Sequence, residues 1–132
     1  SILVGNKVLM ANARRVRKRL GGGMRQAGIL AAAGHYALDH HVDRLVEDHV
    51  RATTLGDAIA DLPYVDHVMP VETNIIIFTL AGGREASSML TELKGSGIIA
   101  AAFGPNTVRM VLHLDIDDTD VDRTIAVLKK LQ

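Results

Sequence analysis

The 132 residues carry 15 Lys+Arg against 15 Asp+Glu, six His and no Cys, which suffices for one modest domain and little more. Without cysteine there is no disulfide, thiolate metal site or cysteine nucleophile, and 3% aromatics offer no stacking platform for single-stranded nucleic acid. No apolar run reaches the roughly 18 residues of a membrane helix, and no charged-then-apolar leader opens the sequence, so a soluble protein that engages no membrane is expected.

The neutral total conceals an asymmetry. Residues 1–38 hold seven basic groups (Lys7, Arg14, Arg15, Arg17, Lys18, Arg19, Arg25) and no acid, whereas residues 39–132 hold eight basic against 15 acidic groups. A basic region of this kind is expected to meet an anion or an acidic surface.

The chain opens on the apolar stretch Ser1-Ile2-Leu3-Val4-Gly5, as if cut within a strand. Asn6 is a good N-cap for a helix reaching about Leu20, with Val8, Leu9, Ala13 and Val16 at helical spacing and Gly21-Gly22-Gly23 stopping it. Met24 to Leu38 is almost uncharged and alanine-rich, which predicts a helix buried on most sides. From Asp39 an amphipathic stripe (Leu38, Val42, Leu45, His49, Ala52, Leu55, Ile59, Leu62) predicts the longest helix, closed by Pro63 and bridging two domains. A β-rich run comes next from Val68 to Leu80, broken by Gly82-Gly83, then a short helix from about Arg84 to Lys94. Two strands, Ile98 to Phe103 and Thr107 to Ile116, are joined through Gly104-Pro105-Asn106, and a last helix runs from about Thr119 to Leu131. The order predicts an α/β chain with a small antiparallel sheet of about three strands, covered by helices on one face.

Strand alternation gives the sharpest local inference. Val108, Met110, Leu112, Leu114 and Ile116 share the face toward the helices, so Arg109, Val111 and His113 point to the other. A guanidinium on a largely apolar strand wants an anion: either it clamps a carboxylate in a fork, or it forms a salt bridge at the sheet surface. Arg14 to Arg19, the three glycines and Met24-Arg25 combine positive charge with a free backbone near a helix start, a physical recipe for phosphate, although the spacing is neither a P-loop nor a dinucleotide fingerprint. A solvated basic face or a nucleic-acid patch competes with that reading. His35, His40, His41 and His49 lack the i, i+4 pairing of a helical metal site, and His49 on the stripe reads as a packing histidine, so no metal is expected. Asp115, Asp117, Asp118, Asp120 and Asp122 lack the calcium-loop glycine and glutamate, and read instead as the cap and N-terminal charge of the last helix.

Taken together, Ser1-Ile2-Leu3-Val4-Gly5, the basic run into Gly21-Gly22-Gly23-Met24-Arg25-Gln26-Ala27-Gly28, Leu30 to Gly34 with Tyr36-Ala37-Leu38, Arg44-Leu45 with Glu47-Asp48-His49, Thr73-Asn74, and Arg109 to Asp115 resemble a family. It is the C-terminal half of the pyridoxal-phosphate-dependent threonine aldolases, in the β-eliminating lyase family of the aspartate-aminotransferase-like superfamily. The resemblance implies a cytoplasmic carbon–carbon lyase that cleaves a small β-hydroxy-α-amino acid, L-threonine or L-allo-threonine above all, to glycine and an aldehyde. It implies pyridoxal phosphate held as a Schiff base on a lysine upstream of Ser1, so that no catalytic residue lies in this chain and the chain alone is inactive. It assigns Arg109 to the substrate carboxylate and Lys18 and Arg25 to the cofactor phosphate. Residues 1–38 then end the large cofactor-binding domain and residues 39–132 form the small C-terminal domain. The implied partners are the missing N-terminal part and further copies, a homotetramer being usual, with no nucleic acid and no membrane. Another lyase or racemase of the same fold, or a non-catalytic anion-binding interaction domain, are the alternatives.

Overall fold

The computed structural model describes residues 3–131. Contacts divide the chain between His40 and His41 into two compact units. The first holds α1 (Lys7–Arg19) and α2 (Gly28–His40). Asn6 caps α1 as the sequence predicts, its side-chain oxygen accepting from the Leu9 N–H at 2.9 Å. Arg17, Lys18 and Arg19 fill the last turn, where the helix dipole favours cations. The alanine-rich segment becomes helical only at Gly28, and the expected burial is absent: neither helix has a buried residue. Two short helices with a glycine-rich connection have too little facing apolar surface to enclose a core.

The second unit contains α3 (Leu45–Ala60), β1 (Val65–Val68), β2 (Ile75–Leu80), α4 (Ala86–Gly95), β3 (Ala101–Ala102), β4 (Thr107–Val111) and α5 (Asp118–Leu128). α3 is the longest helix, but it starts six residues later than the stripe suggested, after a turn at 41–44. The predicted run from Val68 to Leu80 is strand only from Ile75, and a further strand, β1, ends where that run was expected to begin; between them the chain turns back through Pro70, which lacks an N–H for a ladder. The sheet therefore has four strands rather than about three, all antiparallel, in the order β1-β2-β4-β3. β3 and β4 are also shorter than predicted.

One sheet face carries the core. Ile76, Phe78 and Leu80 of β2 alternate with half-buried neighbours, and Val108, Met110 and Leu112 lie beside them. Ala52, Leu55, Gly56 and Ile59 of α3, Ala86, Met89 and Leu93 of α4, and Val121 and Leu128 of α5 close over that face. Each large apolar side chain so buried contributes about 1.5–3 kcal/mol. Leu114, assigned to this face by alternation, is 55% exposed, because β4 ends at Val111 and the turn beyond it breaks the alternation.

Gly56 marks a close approach. Alanine in a helix interior ordinarily gains about 1 kcal/mol over glycine. Here its Cβ would lie 2.8 Å from Cγ2 of Val71, a β-branched side chain with little freedom to retreat. Gly56→Ala is therefore expected to destabilise the chain by about 1 kcal/mol net; a raised urea midpoint would show that the connector yields.

Tyr64 ties the sheet to α5. Its hydroxyl donates to the Leu128 carbonyl at 2.6 Å, and the Arg84 guanidinium sits 5.0 Å from its ring centre. Burial pushes the phenol above its ordinary value of 10.0, against the opposing pull of the Arg84 charge. A raised value favours the neutral phenol in the folded state, so its stabilisation is complete below that ordinary value and is lost as the pH rises through the folded one. Tyr64→Phe is expected to cost about 1 kcal/mol near neutrality and to flatten the alkaline limb of the stability–pH curve.

Candidate functional site

β4 is positioned by its ladder with β2, which runs from Ile75↔Val111 to Thr79↔Thr107. Past its end, Leu112 donates its N–H to the Asn74 carbonyl at 2.9 Å, and Asn74 Nδ2 donates to the Leu112 carbonyl at 2.6 Å. This pair of hydrogen bonds pins the strand. Arg109 lies in the middle of it, on the face away from the helices as alternation predicts, between Ile77 of β2 and Ala101 of β3. Its Nε is buried and has no hydrogen-bond partner, and Arg109 forms no ion pair among the described residues. The salt-bridge alternative thus finds no acid among them. A buried unsatisfied donor costs roughly 1–3 kcal/mol, a cost that an anion arriving on that face would offset.

Lys18 and Arg25 belong to the first unit and Arg109 to the second. Lys18 folds over the glycine turn: a Cβ on Gly23 would come 2.7 Å from its Cδ and 3.0 Å from its Nζ. A Cβ on Gly22 would likewise meet Arg17 Cγ at 2.9 Å, so side chains at these two positions would fill the space the cations use. Arg25 is exposed in the turn leading into α2, whose first turn holds no acid. An ammonium beside bare backbone, and a guanidinium near a helix start, suit a phosphate.

The histidines do not converge. His49 is exposed, contrary to its expected packing role, and its neighbour Asp48 is buried in its place. Sequence reasoning missed this carboxylate; the Arg44–Asp48 spacing of four was the signal that could have found it. Arg44 grips it in a fork, Nη1 to Oδ2 at 3.1 Å and Nη2 to Oδ1 at 2.8 Å. Arg51 continues the network to Asp118 at 2.6 Å, and hydrogen bonds to these carboxylates raise both arginines above their ordinary range. The aspartates before α5 cap it as predicted, Asp117 Oδ1 accepting from the Asp120 N–H and Asp120 Oδ2 from the Asp117 N–H. Among the described residues no three His, Asp or Glu are placed to hold a metal, and no helix is long and apolar enough to cross a membrane.

A cleft of about 270 Å³ opens where the segment 97–99 leaves β4, with Leu55, Ile98, Met110, Leu112 and Val121 among its walls. Its rim is already satisfied: Arg123 donates to the Ser96 carbonyl at 2.7 Å, and Asp120 serves the helix cap. Arg109 does not line it.

Known proteins are similar to most of this chain. A probable low-specificity L-threonine aldolase of Arabidopsis thaliana is 35% identical over 99% of this chain and 38% of its own length. The low specificity L-threonine aldolase of Escherichia coli is 40% identical over 88% of this chain and 33% of its own. The chain thus spans about a third of the length of these curated relatives. A solved C-DES variant with glycine linked to its PLP cofactor superposes with a TM-score of 0.62 at 19% identity, covering 80% of this chain and 29% of its own. A complex of the cystine C-S lyase C-DES with cysteine persulfide gives 0.63 at 19% identity, over 79% and 28%. The mixed α/β fold is therefore that of pyridoxal-phosphate enzymes. Since the β-eliminating lyase profile matches residues 1–82, well over half of the sequence, the chain belongs to the β-eliminating lyase family.

Proposed function

We propose that this chain is the C-terminal portion of a pyridoxal-phosphate-dependent threonine aldolase, an enzyme that cleaves L-threonine or L-allo-threonine to glycine and acetaldehyde. The observation that carries the reading is Arg109, a guanidinium with a buried, unpartnered Nε on a sheet face with no acid opposite it, between Ile77 and Ala101. It takes the substrate α-carboxylate in a fork and so fixes how the substituents on Cα are turned. Asn74 holds the strand that carries it. Lys18 and Arg25 neutralise the cofactor phosphate, which the bare backbone of Gly22 and Gly23 lets approach. When bound, the cofactor supplies the electron sink for the pair released as the Cα–Cβ bond breaks.

Residues 1–38 end the large domain and residues 39–132 form the small one; the division of contacts between His40 and His41 supports that boundary. Two unpartnered apolar surfaces support the rest of the enzyme, and further copies in a tetramer, as partners. One is the first unit, where Ile29, Leu30 and Leu38 are exposed. The other is the open sheet face, where Ile75 and Ile77 make β2 apolar on both sides, as in strands covered on both faces. The resemblance also carries the cytoplasmic location.

The complete protein that contains this segment, given pyridoxal phosphate, is expected to release acetaldehyde and glycine from L-threonine. Sulfide from cysteine or cystine with no acetaldehyde from threonine would make it a carbon–sulfur lyase instead.

A further inference from the structure

The two residues beside Arg109 on the open sheet face are unequal. The ladder places Ile77 on the β2 side and Ala101 on the β3 side. Residues directly opposite in antiparallel strands have Cβ atoms about 4.5–5.5 Å apart, so each is within reach of the arginine stem. The Arg109 stem therefore has a branched side chain on one flank and a single methyl on the other. Strand preference does not account for that methyl. Alanine is depleted in strands, and β3 is an exposed edge of only two residues, both alanine, where a β-branched residue would pair better.

We infer that Ala101 is a specificity-determining residue: its small side chain leaves open the β3 side of Arg109, the side from which an amino-acid carboxylate reaches the guanidinium. The inference rests on the reading of Arg109 as the carboxylate clamp. By alternation Phe103, 62% exposed, lies after Ala101 on the same face, and its N–H donates to the Thr107 carbonyl at 2.8 Å. The open flank is thus bounded by an aromatic side chain, and the size of residue 101 sets how much of the ligand fits between that ring and the clamp. Residue 101 makes no charge contact of its own. Enlarging it therefore acts on the ligand through access.

The test is a size series at this position in the complete enzyme: Ala101→Ser, Ala101→Val and Ala101→Leu, with Arg109→Ala as control. The KM for L-threonine is expected to be nearly unchanged for serine, to rise severalfold for valine and to rise at least tenfold for leucine. The rise in melting temperature given by glycine, a small carboxylate probe, should shrink in the same order. Melting temperatures without ligand should hold or increase for valine, since the edge strand gains a better strand former; this separates blocked access from misfolding. If Ala101→Leu leaves both KM and the glycine effect at wild-type values while Arg109→Ala abolishes them, the inference about Ala101 is overturned and the clamp stands. Should Arg109→Ala also leave both unchanged, the clamp itself is wrong and the inference falls with it.

Discussion

Arg109→Lys in the complete enzyme is expected to lower kcat/KM for L-threonine by about one to two powers of ten, equivalent to roughly 1.5–3 kcal/mol. Lysine keeps the positive charge but loses the planar fork, so two parallel hydrogen bonds to a carboxylate become one to a point charge. Because that grip also sets the orientation of the bonds on Cα, kcat should fall together with apparent affinity. Stability supplies an independent sign. Nε of Arg109 is buried without a partner, so the folded chain carries an unsatisfied donor when no anion is present. Arg109→Met should remove that donor while keeping most of the apolar stem, and the variant should be more stable than wild type by about 1 kcal/mol and melt correspondingly higher. A variant that is more stable and inactive is the signature of a residue held for function at a cost in stability. If Arg109→Met is instead destabilised and Arg109→Lys is fully active, the guanidinium serves the fold and the carboxylate is held elsewhere.

Asp48→Ala is expected to produce the largest loss of stability among single polar substitutions here, about 2–3 kcal/mol by urea unfolding of the chain. Asp48 is 2% exposed and is the one charged residue in the buried class among the described residues. Its removal leaves the Arg44 guanidinium, 17% exposed, without its closest partner. Replacing both by leucine should recover most of the loss, since a buried ion pair contributes little beyond an apolar pair of similar size, whereas half of one is costly. Asp118→Asn, which also breaks an ion pair to a guanidinium, should cost far less: the Asp118 side chain is 84% exposed and water replaces Arg51 as its partner. Across the ordinary pH range both arginines stay charged, because their partners raise them further; on the arginine side the pairs are lost only as the pH rises through that raised range. Equal losses for Asp48→Ala and Asp118→Asn would mean that burial does not set the scale.

Local chemistry made part of the molecule legible. Asn6 and Asp117 cap their helices by hydrogen bonds confined to one turn, and Arg109 shares a face with Val111 because side chains alternate whatever the strand packs against. The glycine turn beside Lys18 was readable for the same reason, since the freedom it provides is a property of the residues themselves.

Burial obeyed other rules. Periodicity put His49 on the inner face of the long helix, yet Asp48, four residues before Ala52, lies on the same stripe and goes inside because Arg44 is there to receive it. Alanine-rich α2 reads as a buried helix, but it is exposed within this chain, because burial depends on what lies opposite and not on the helix's own composition. The β-rich run is strand only from Ile75, and the fourth strand, Val65–Val68, lies ahead of it, where four residues with Asp66 and His67 in the middle carry no strand pattern of their own. The sequence by itself determined the family, the caps and the face on which Arg109 stands, since each depends on neighbours within a few residues or on a pattern of residue types. Only the tertiary structure decided that Ile77 and Ala101 flank Arg109, that no acid among the described residues meets it, and that Asp48 is the buried charge. These depend on the register between strands distant in sequence and on which groups lose their water together.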